Sequence, residues 1–255
     1  MIAFSQQGSG PALILIHGFC ESKEMWKTFV EQLSNNYTVY CPDLPGFGDS
    51  PLLENEISLE TAAVLLQEWM EENNIHNPIV IGHSLGGYIT LALAELLGHG
   101  LKAIGLFHST AFPDDEEKKQ TRNKTIGFIK KYGVDKFVES FVPPLFSDQH
   151  RSEQADQITE LIQAGKKSSQ NGLIAFTAAM RDRKDRFELW KNFQGPKLMI
   201  AGELDLAVKI DGSRRHQPYA SHYHELIGTG HMGMFEEPER TLGIIQDFLK
   251  DVEIK

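Results

Sequence analysis

Ile79-Val80-Ile81-Gly82-His83-Ser84-Leu85-Gly86-Gly87 is the stretch that decides the fold. A short β-branched run stops at a glycine and presents one serine. An apolar helical pattern then resumes through Thr90, Leu91, Leu93, Ala94 and Leu97, with Gly98 and Gly100 as its stop. The order is strand, sharp turn, helix. Ser84 stands in G-x-S-x-G, where glycines at 82 and 86 serve because a Cβ would collide with neighbouring backbone. The hydroxyl is thereby held out at the top of a sheet. Five residues of this kind also occur in plain turns, and the flanking strand and helix set this one apart.

Working outward, Gly8-Ser9-Gly10-Pro11 is a turn cluster that delivers Ala12-Leu13-Ile14-Leu15-Ile16, a continuous apolar run suited to a buried strand. His17-Gly18-Phe19 follows. Helical spacing through Met25, Trp26, Phe29, Val30 and Leu33 leads to a second strand at Tyr37–Tyr40 and to the Gly- and Pro-dense loop Asp43–Pro51. Ser58 can cap a helix carrying Leu59, Ala62, Ala63, Leu66, Trp69 and Met70. Beyond Ser84, strands are predicted at 102–107, 196–202 and 221–227, and a last helix carries Leu242, Ile245, Phe248 and Leu249. Alternating β and α predicts an α/β fold, a mostly parallel, doubly wound sheet of about seven strands. Its ligand crevice lies at the carboxyl ends of the strands.

From Phe112 the texture changes to charged, strand-poor, helical spacing. We expect a helical cap at 112–191 inserted into a core of 1–111 and 192–255. Phe112, Phe128, Phe137, Phe141, Phe176 and Met180 are the candidates for lining a substrate pocket beneath it. Two thirds of such apolar positions are accounted for by the stripe that any helix buries.

The chain has 255 residues, is 41% hydrophobic and has a formal net charge of −10. No run approaches the ~18 apolar residues of a membrane span. The first residues lack the basic start and long apolar stretch of a secretion signal, so the expected location is cytoplasmic. Cys20 and Cys41 are too few for a disulfide framework and have no metal-type spacing. The acidic balance makes nucleic acid an unsuitable partner, and Lys118-Lys119 and Lys166-Lys167 suit solvated helix faces. A small molecule is the expected partner, with no cofactor and no metal; the oligomeric state is left open.

A serine that attacks an acyl carbon needs a base to take its proton and an acid to orient that base. Asp205 lies just after the strand ending at Gly202, and His231 just after the last strand, in Gly228-Thr229-Gly230-His231-Met232. Singly, each has an ordinary structural reading. Together, the three residue types fall at the carboxyl edge in the order Ser, Asp, His. Glu203 is the rival acid, but it adjoins the strand end, whereas Asp205 stands farther out. His83 is expected to pack or hydrogen-bond under the turn.

These residues resemble the α/β-hydrolase superfamily, in particular its cap-bearing esterase and lactonase-like members. The likeness rests on His17-Gly18-Phe19, Asp43-Leu44-Pro45-Gly46-Phe47-Gly48-Asp49-Ser50, Gly82–Gly87, Gly202-Glu203-Leu204-Asp205, and Gly230-His231 followed by Glu236-Glu237-Pro238-Glu239. The resemblance implies oxyanion donors at the Phe19 and Leu85 amides, and hydrolysis through an acyl-enzyme on Ser84 of a small to medium ester, lactone or thioester. Relatives' usual antiparallel first strand has no expected counterpart here. Carbon–carbon bond hydrolases commonly have asparagine and an aromatic where this chain has His83 and Met232, and relatives of the menaquinone-pathway lyase often have arginine at Tyr88. Ser84 argues against the aspartate-dependent dehalogenases and epoxide hydrolases. Acyl transfer, perhydrolysis, carbon–carbon cleavage and a hydrolase-derived ligand receptor are the competing readings.

Overall fold

The computed structural model describes residues 2–52 and 57–254. Seven strands form one sheet: β1 (Phe4–Gln7), β2 (Ala12–Ile16), β3 (Thr38–Pro42), β4 (Ile79–His83), β5 (Ala103–Phe107), β6 (Lys197–Gly202) and β7 (His222–Leu226). Their order across the sheet is β1-β3-β2-β4-β5-β6-β7. All neighbours pair in parallel except β1, which runs antiparallel to β3 at one edge. The expectation that an antiparallel first strand has no counterpart is thus corrected. Ser5, Gln6 and Gln7 are polar and exposed, as suits an edge strand. The central strands are apolar up to the His83 that ends β4, and buried from Leu13 on, because helices cover both faces of a parallel sheet.

Between these strands run α1 (Lys27–Leu33), α2 (Leu59–Glu72) and α3 (Leu85–Leu97). Ser58 caps α2 by accepting the Thr61 N–H. The excursion between β5 and β6 holds α4 (Glu116–Phe141), α5 (Asp148–Arg151), α6 (Ala155–Gly165), α7 (Gln170–Arg181) and α8 (Phe187–Asn192). Gly133, at φ 83° and ψ 177°, breaks α4 within its length. Within this excursion the Arg186 N–H donates to the Ala111 carbonyl at 2.8 Å. Arg186 also reaches Glu60 and Glu95 of the core at 2.7 and 2.9 Å, and α8 lies against α3. After β6 come α9 (Ile210–Arg214), then, beyond β7, α10 (Gly233–Glu236) and α11 (Pro238–Ile254).

The helix after the serine presses directly on the sheet. A Cβ on Gly86 would lie 2.4 Å from the Ile16 carbonyl oxygen, and one on Gly82 would lie 2.2 Å from the Gly86 carbonyl. Gly243, in α11, has open space around its Cβ position. Gly86→Ala should therefore lower stability by roughly 2–3 kcal/mol or more, while Gly243→Ala should raise it by about 0.4–1 kcal/mol. Urea midpoints at constant slope measure both, and equal effects would contradict the packing described.

Candidate active site

Ser84 ends β4 and opens α3 with φ 49° and ψ −111°, a left-handed backbone that its neighbours must hold in place. Its N–H donates to the Phe107 carbonyl at 2.9 Å, and Ser109 Oγ donates to its carbonyl at 2.7 Å. The residue is half-buried. Leu85, the first residue of α3, points its N–H out of the helix start, where the dipole favours negative charge. Phe19 follows the turn at His17-Gly18. Among the described residues, neither the Phe19 nor the Leu85 N–H donates to another backbone or side-chain acceptor.

The turn carrying Phe19 is tied down by histidine and glutamate. His17 Nδ1 donates to the Gly18 carbonyl at 2.7 Å, which leaves Nε2 to accept the Leu44 N–H at 2.9 Å. That fixes a neutral tautomer, consistent with burial pushing its pKa down against the pull of Asp43. The Gly18 N–H donates to Glu21 Oε2.

Asp205 and His231 meet. His231 Nδ1 lies 2.7 Å from Asp205 Oδ2, both side chains being almost wholly buried. The other carboxylate oxygen accepts the Ala207 and Val208 amides, each at 2.8 Å. Burial pushes the Asp205 carboxyl up, but the His231 charge and the hydrogen bonds at the carboxylate outweigh it and hold it well below its ordinary value. Asp205 is therefore an anion, and the His231 proton sits on Nδ1, facing it. Glu203 is exposed and accepts the Gly228 N–H at 2.9 Å instead.

Two further residues shape this edge. His108, after β5, brings Nδ1 to 3.3 Å from Asp205 Oδ2, yet the same nitrogen accepts the Gly202 N–H at 3.1 Å. One lone pair cannot do both. With the Gly202 bond made, the proton lies on Nε2, and the short carboxylate bond belongs to His231 alone. His108, Asp205 and His231 bring donor atoms within 4.8 Å of one another. Those atoms are committed to the hydrogen bonds just described, which is a poor fit for a resident metal ion. Glu236 accepts the Gly230 and Met232 amides on either side of His231, at 3.0 and 3.1 Å, and the Ser147 N–H of the cap at 3.0 Å. His231 itself donates its N–H to the Leu145 carbonyl at 2.7 Å. Glu236 was visible in the sequence only as part of the resemblance. Glu21 and His108 lie far in sequence from the groups they touch, and no local pattern marks them.

The cap phenylalanines divide. Phe137 and Phe141 pack edge-on against Phe19 at 6.0 and 5.6 Å, and Phe176 meets Phe47, itself 5.9 Å from Phe19. Phe128 touches Phe137 at 6.4 Å from the exposed rim. Met180 is buried, its carbonyl held by Arg183. Phe112 is not brought to this group: it stacks on Phe187 at 4.6 Å and meets His216 edge-on at 4.9 Å. A hollow of about 760 Å³ lies by Pro11, Tyr37 and Lys250, at the amino end of β2 and away from these residues.

The model of one family, described as the alpha/beta hydrolase fold, matches residues 11–238. The chain belongs to the alpha/beta hydrolase fold family. This hydrolase is similar to a Bacillus subtilis (strain 168) protein provisionally named 2-succinyl-6-hydroxy-2,4-cyclohexadiene-1-carboxylate synthase, at 25% identity over 98% of this chain and 94% of that one. It is also similar to 3-oxoadipate enol-lactonase 1 of Acinetobacter baylyi, at 24% identity over 96% and 91% of the two chains. Among solved structures, a thermophilic esterase from Thermogutta terrifontis superposes with a TM-score of 0.92 at 25% identity, covering 98% of this chain and 93% of that one. No helix among the described residues is long and apolar enough to cross a membrane.

The depressed Asp205 carboxyl has a consequence for stability. Its contribution is complete above the ordinary carboxyl pKa of about 4 and is lost as pH falls through the lower folded-state value. Asp205→Asn should be less stable than the wild type near pH 7, and the gap in Tm should narrow as pH is lowered from about 5 to about 2. Calorimetry across that range checks it; a constant gap would contradict the assignment.

Proposed function

We propose that Ser84, His231 and Asp205 act as nucleophile, base and orienting acid, and that the protein hydrolyses small to medium carboxylic esters, lactones or thioesters. The observation that carries this reading is the 2.7 Å bond from His231 Nδ1 to Asp205, made at the sheet edge where Ser84 emerges. With Nδ1–H held by the carboxylate, Nε2 has the lone pair that a base requires. Ser84 Oγ adds to the acyl carbon as its proton passes to His231. The imidazolium then protonates the leaving oxygen or sulfur, and water follows the same path to release the acid. The Phe19 and Leu85 amides suit the developing oxyanion; one such donor lowers the barrier by about 2.7–4 kcal/mol.

The substrate's acyl part is taken to lie under Phe137, Phe141 and Phe176, with Phe128 at the rim and Met180 behind. Phe112 is left out of that pocket. The roofing unit is 112–191, and its last helix, α8, packs against α3. Uncharged acyl groups suit this roof. Arg183 is buried and paired with Asp114 at 2.6 Å, its guanidinium 4.2 Å above the Tyr88 ring. Arg181 is bound to Asp182 and Asn123. Neither is free to hold a carboxylate such as the one in the Bacillus relative's named reaction, which weighs against that chemistry here. Cytoplasmic residence is part of the same proposal, supported by two buried free thiols, Cys20 and Cys41.

A fluorophosphonate should label Ser84, and Ser84→Ala should lose ester turnover by roughly 10⁶-fold while staying folded. Labelling elsewhere would overturn the assignment. Asp205→Asn should lower kcat by about 10⁴-fold, whereas Glu203→Gln should keep it within severalfold. For p-nitrophenyl esters, kcat/KM should rise up to about fourfold per acyl methylene until the pocket is filled. A flat profile, or preference for a carboxylated ester, would contradict the apolar roof.

A further inference from the structure

Beneath the serine turn lies a buried acid–histidine pair that the hydrolytic scheme does not use. His83 Nδ1 is 2.9 Å from Glu21 Oε2, and His83 Nε2 is 3.0 Å from the His231 carbonyl oxygen. Both side chains are almost completely buried, at 1% and 5% exposure. Glu21 Oε2 also accepts the Gly18 N–H, one residue before the Phe19 amide. The cradle is tight: a Cβ on Gly18 would lie 2.6 Å from Glu21 Oε2 and 2.7 Å from His83 Nδ1. The chain of contacts thus runs from the oxyanion turn, through Glu21 and His83, to the main chain of His231.

The partners dictate where the protons are. A carbonyl oxygen only accepts, and so does an ionised carboxylate. A histidine placed between the two makes both bonds only as imidazolium, with a hydrogen on each nitrogen. We propose that Glu21 and His83 are positioning residues that hold the oxyanion turn and the His231 loop in one register, and that this brace is complete only while His83 carries both protons. The inference rests on the reading of His231 as the base. A buried ion pair of this type adds little net stability, because desolvation offsets the attraction, so its value lies in fixing geometry.

The surroundings agree. Burial alone drives the His83 pKa down, but the Glu21 charge and hydrogen bond and the His231 carbonyl drive it above its ordinary value. Asp205 adds a further pull in the same direction. His17, itself held neutral, also faces the pair, and the rings of His108 and His231 lie 6.1 and 4.9 Å from His83. As pH rises through that raised pKa, the remaining proton stays on Nδ1 beside the carboxylate. Nε2 then turns a lone pair on the His231 carbonyl, and the brace opens. Glutamine at 21 removes the charge: both contacts fall on one oxygen position, so the amide oxygen keeps the Gly18 N–H and accepts from Nδ1, with no anion to hold a second proton on the ring. A neutral His83 then carries its proton on Nδ1 and turns its Nε2 lone pair on the His231 carbonyl, so the brace is already open at neutral pH.

The test has two arms. In ¹⁵N-histidine spectra of Ser84→Ala at pH 7, His83 should show two protonated ring nitrogens; neutral-imidazole shifts would overturn the proposal without reference to catalysis. In kinetics with a p-nitrophenyl ester, wild-type kcat should fall as pH rises through the His83 titration seen by NMR. Glu21→Gln should lose a few-fold in kcat at pH 7 but show no such alkaline limb. His83→Asn should lower kcat by about 10- to 100-fold, with KM within about twofold. A Glu21→Gln profile that overlays the wild type, or a His83→Asn variant with full kcat, would overturn the positioning role. Absence of any ester turnover in the wild type would instead defeat the proposed function, and the spectra alone would then decide the state of the pair.

Discussion

The contact on which this structure depends is the one between α3 and the sheet at Gly82 and Gly86. The helix starts so close to β4 and β2 that no side chain fits between them. That approach leaves Ser84 only a left-handed backbone, and φ 49° there is the local cost of presenting the hydroxyl above the sheet. The same closeness puts the first free amide of α3 beside that hydroxyl. The Ser84 hydroxyl and the Leu85 amide thus take their places from one packing constraint.

Around this point the protein places buried charge sparingly and always between loops. Glu21 joins the first β–α turn to the β4 end, Asp205 joins the β6 loop to the β7 loop, and Glu236 joins the His231 loop to the cap. Each carboxylate accepts from amides or imidazoles, as burial requires. Such links contribute little to net stability compared with the apolar strands beneath. Their effect is to fix loops that would otherwise fluctuate separately, which matters where misplacement by an ångström costs about a hundredfold in rate.

The cap is fastened through the same logic. Its Phe137, Phe141 and Phe176 rest on Phe19 and Phe47, so the roof is continuous with the turn it covers. At the seam, Arg186 binds two core glutamates while its amide closes on Ala111. The Leu145 carbonyl accepts the His231 N–H directly, and the Ser147 N–H reaches the same loop through the Glu236 carboxylate, so roof and His231 loop share hydrogen bonds as well as apolar contacts.

The sequence by itself determined the strand and helix alternation, the parallel sheet, the helical insertion and the candidates Ser84, Asp205 and His231. Each of these is a local signal: a burial pattern, a turn composition, or a place just after a strand. Asp205 could be preferred to Glu203 because one residue beside a strand end points away from where another two positions on can reach. A strand within Met1–Gln7 was legible, but its antiparallel pairing was not, since nothing in Phe4-Ser5-Gln6-Gln7 carries a pairing direction. Tertiary packing alone puts Phe112 in the Phe187 and His216 cluster, sets His108 against Asp205 without a hydrogen to donate to it, and places Glu21 under His83, 62 residues away. These facts come from long-range packing. A buried acid gains its partner only when distant loops are brought together by the sheet, and no periodicity in the chain records which loops those are.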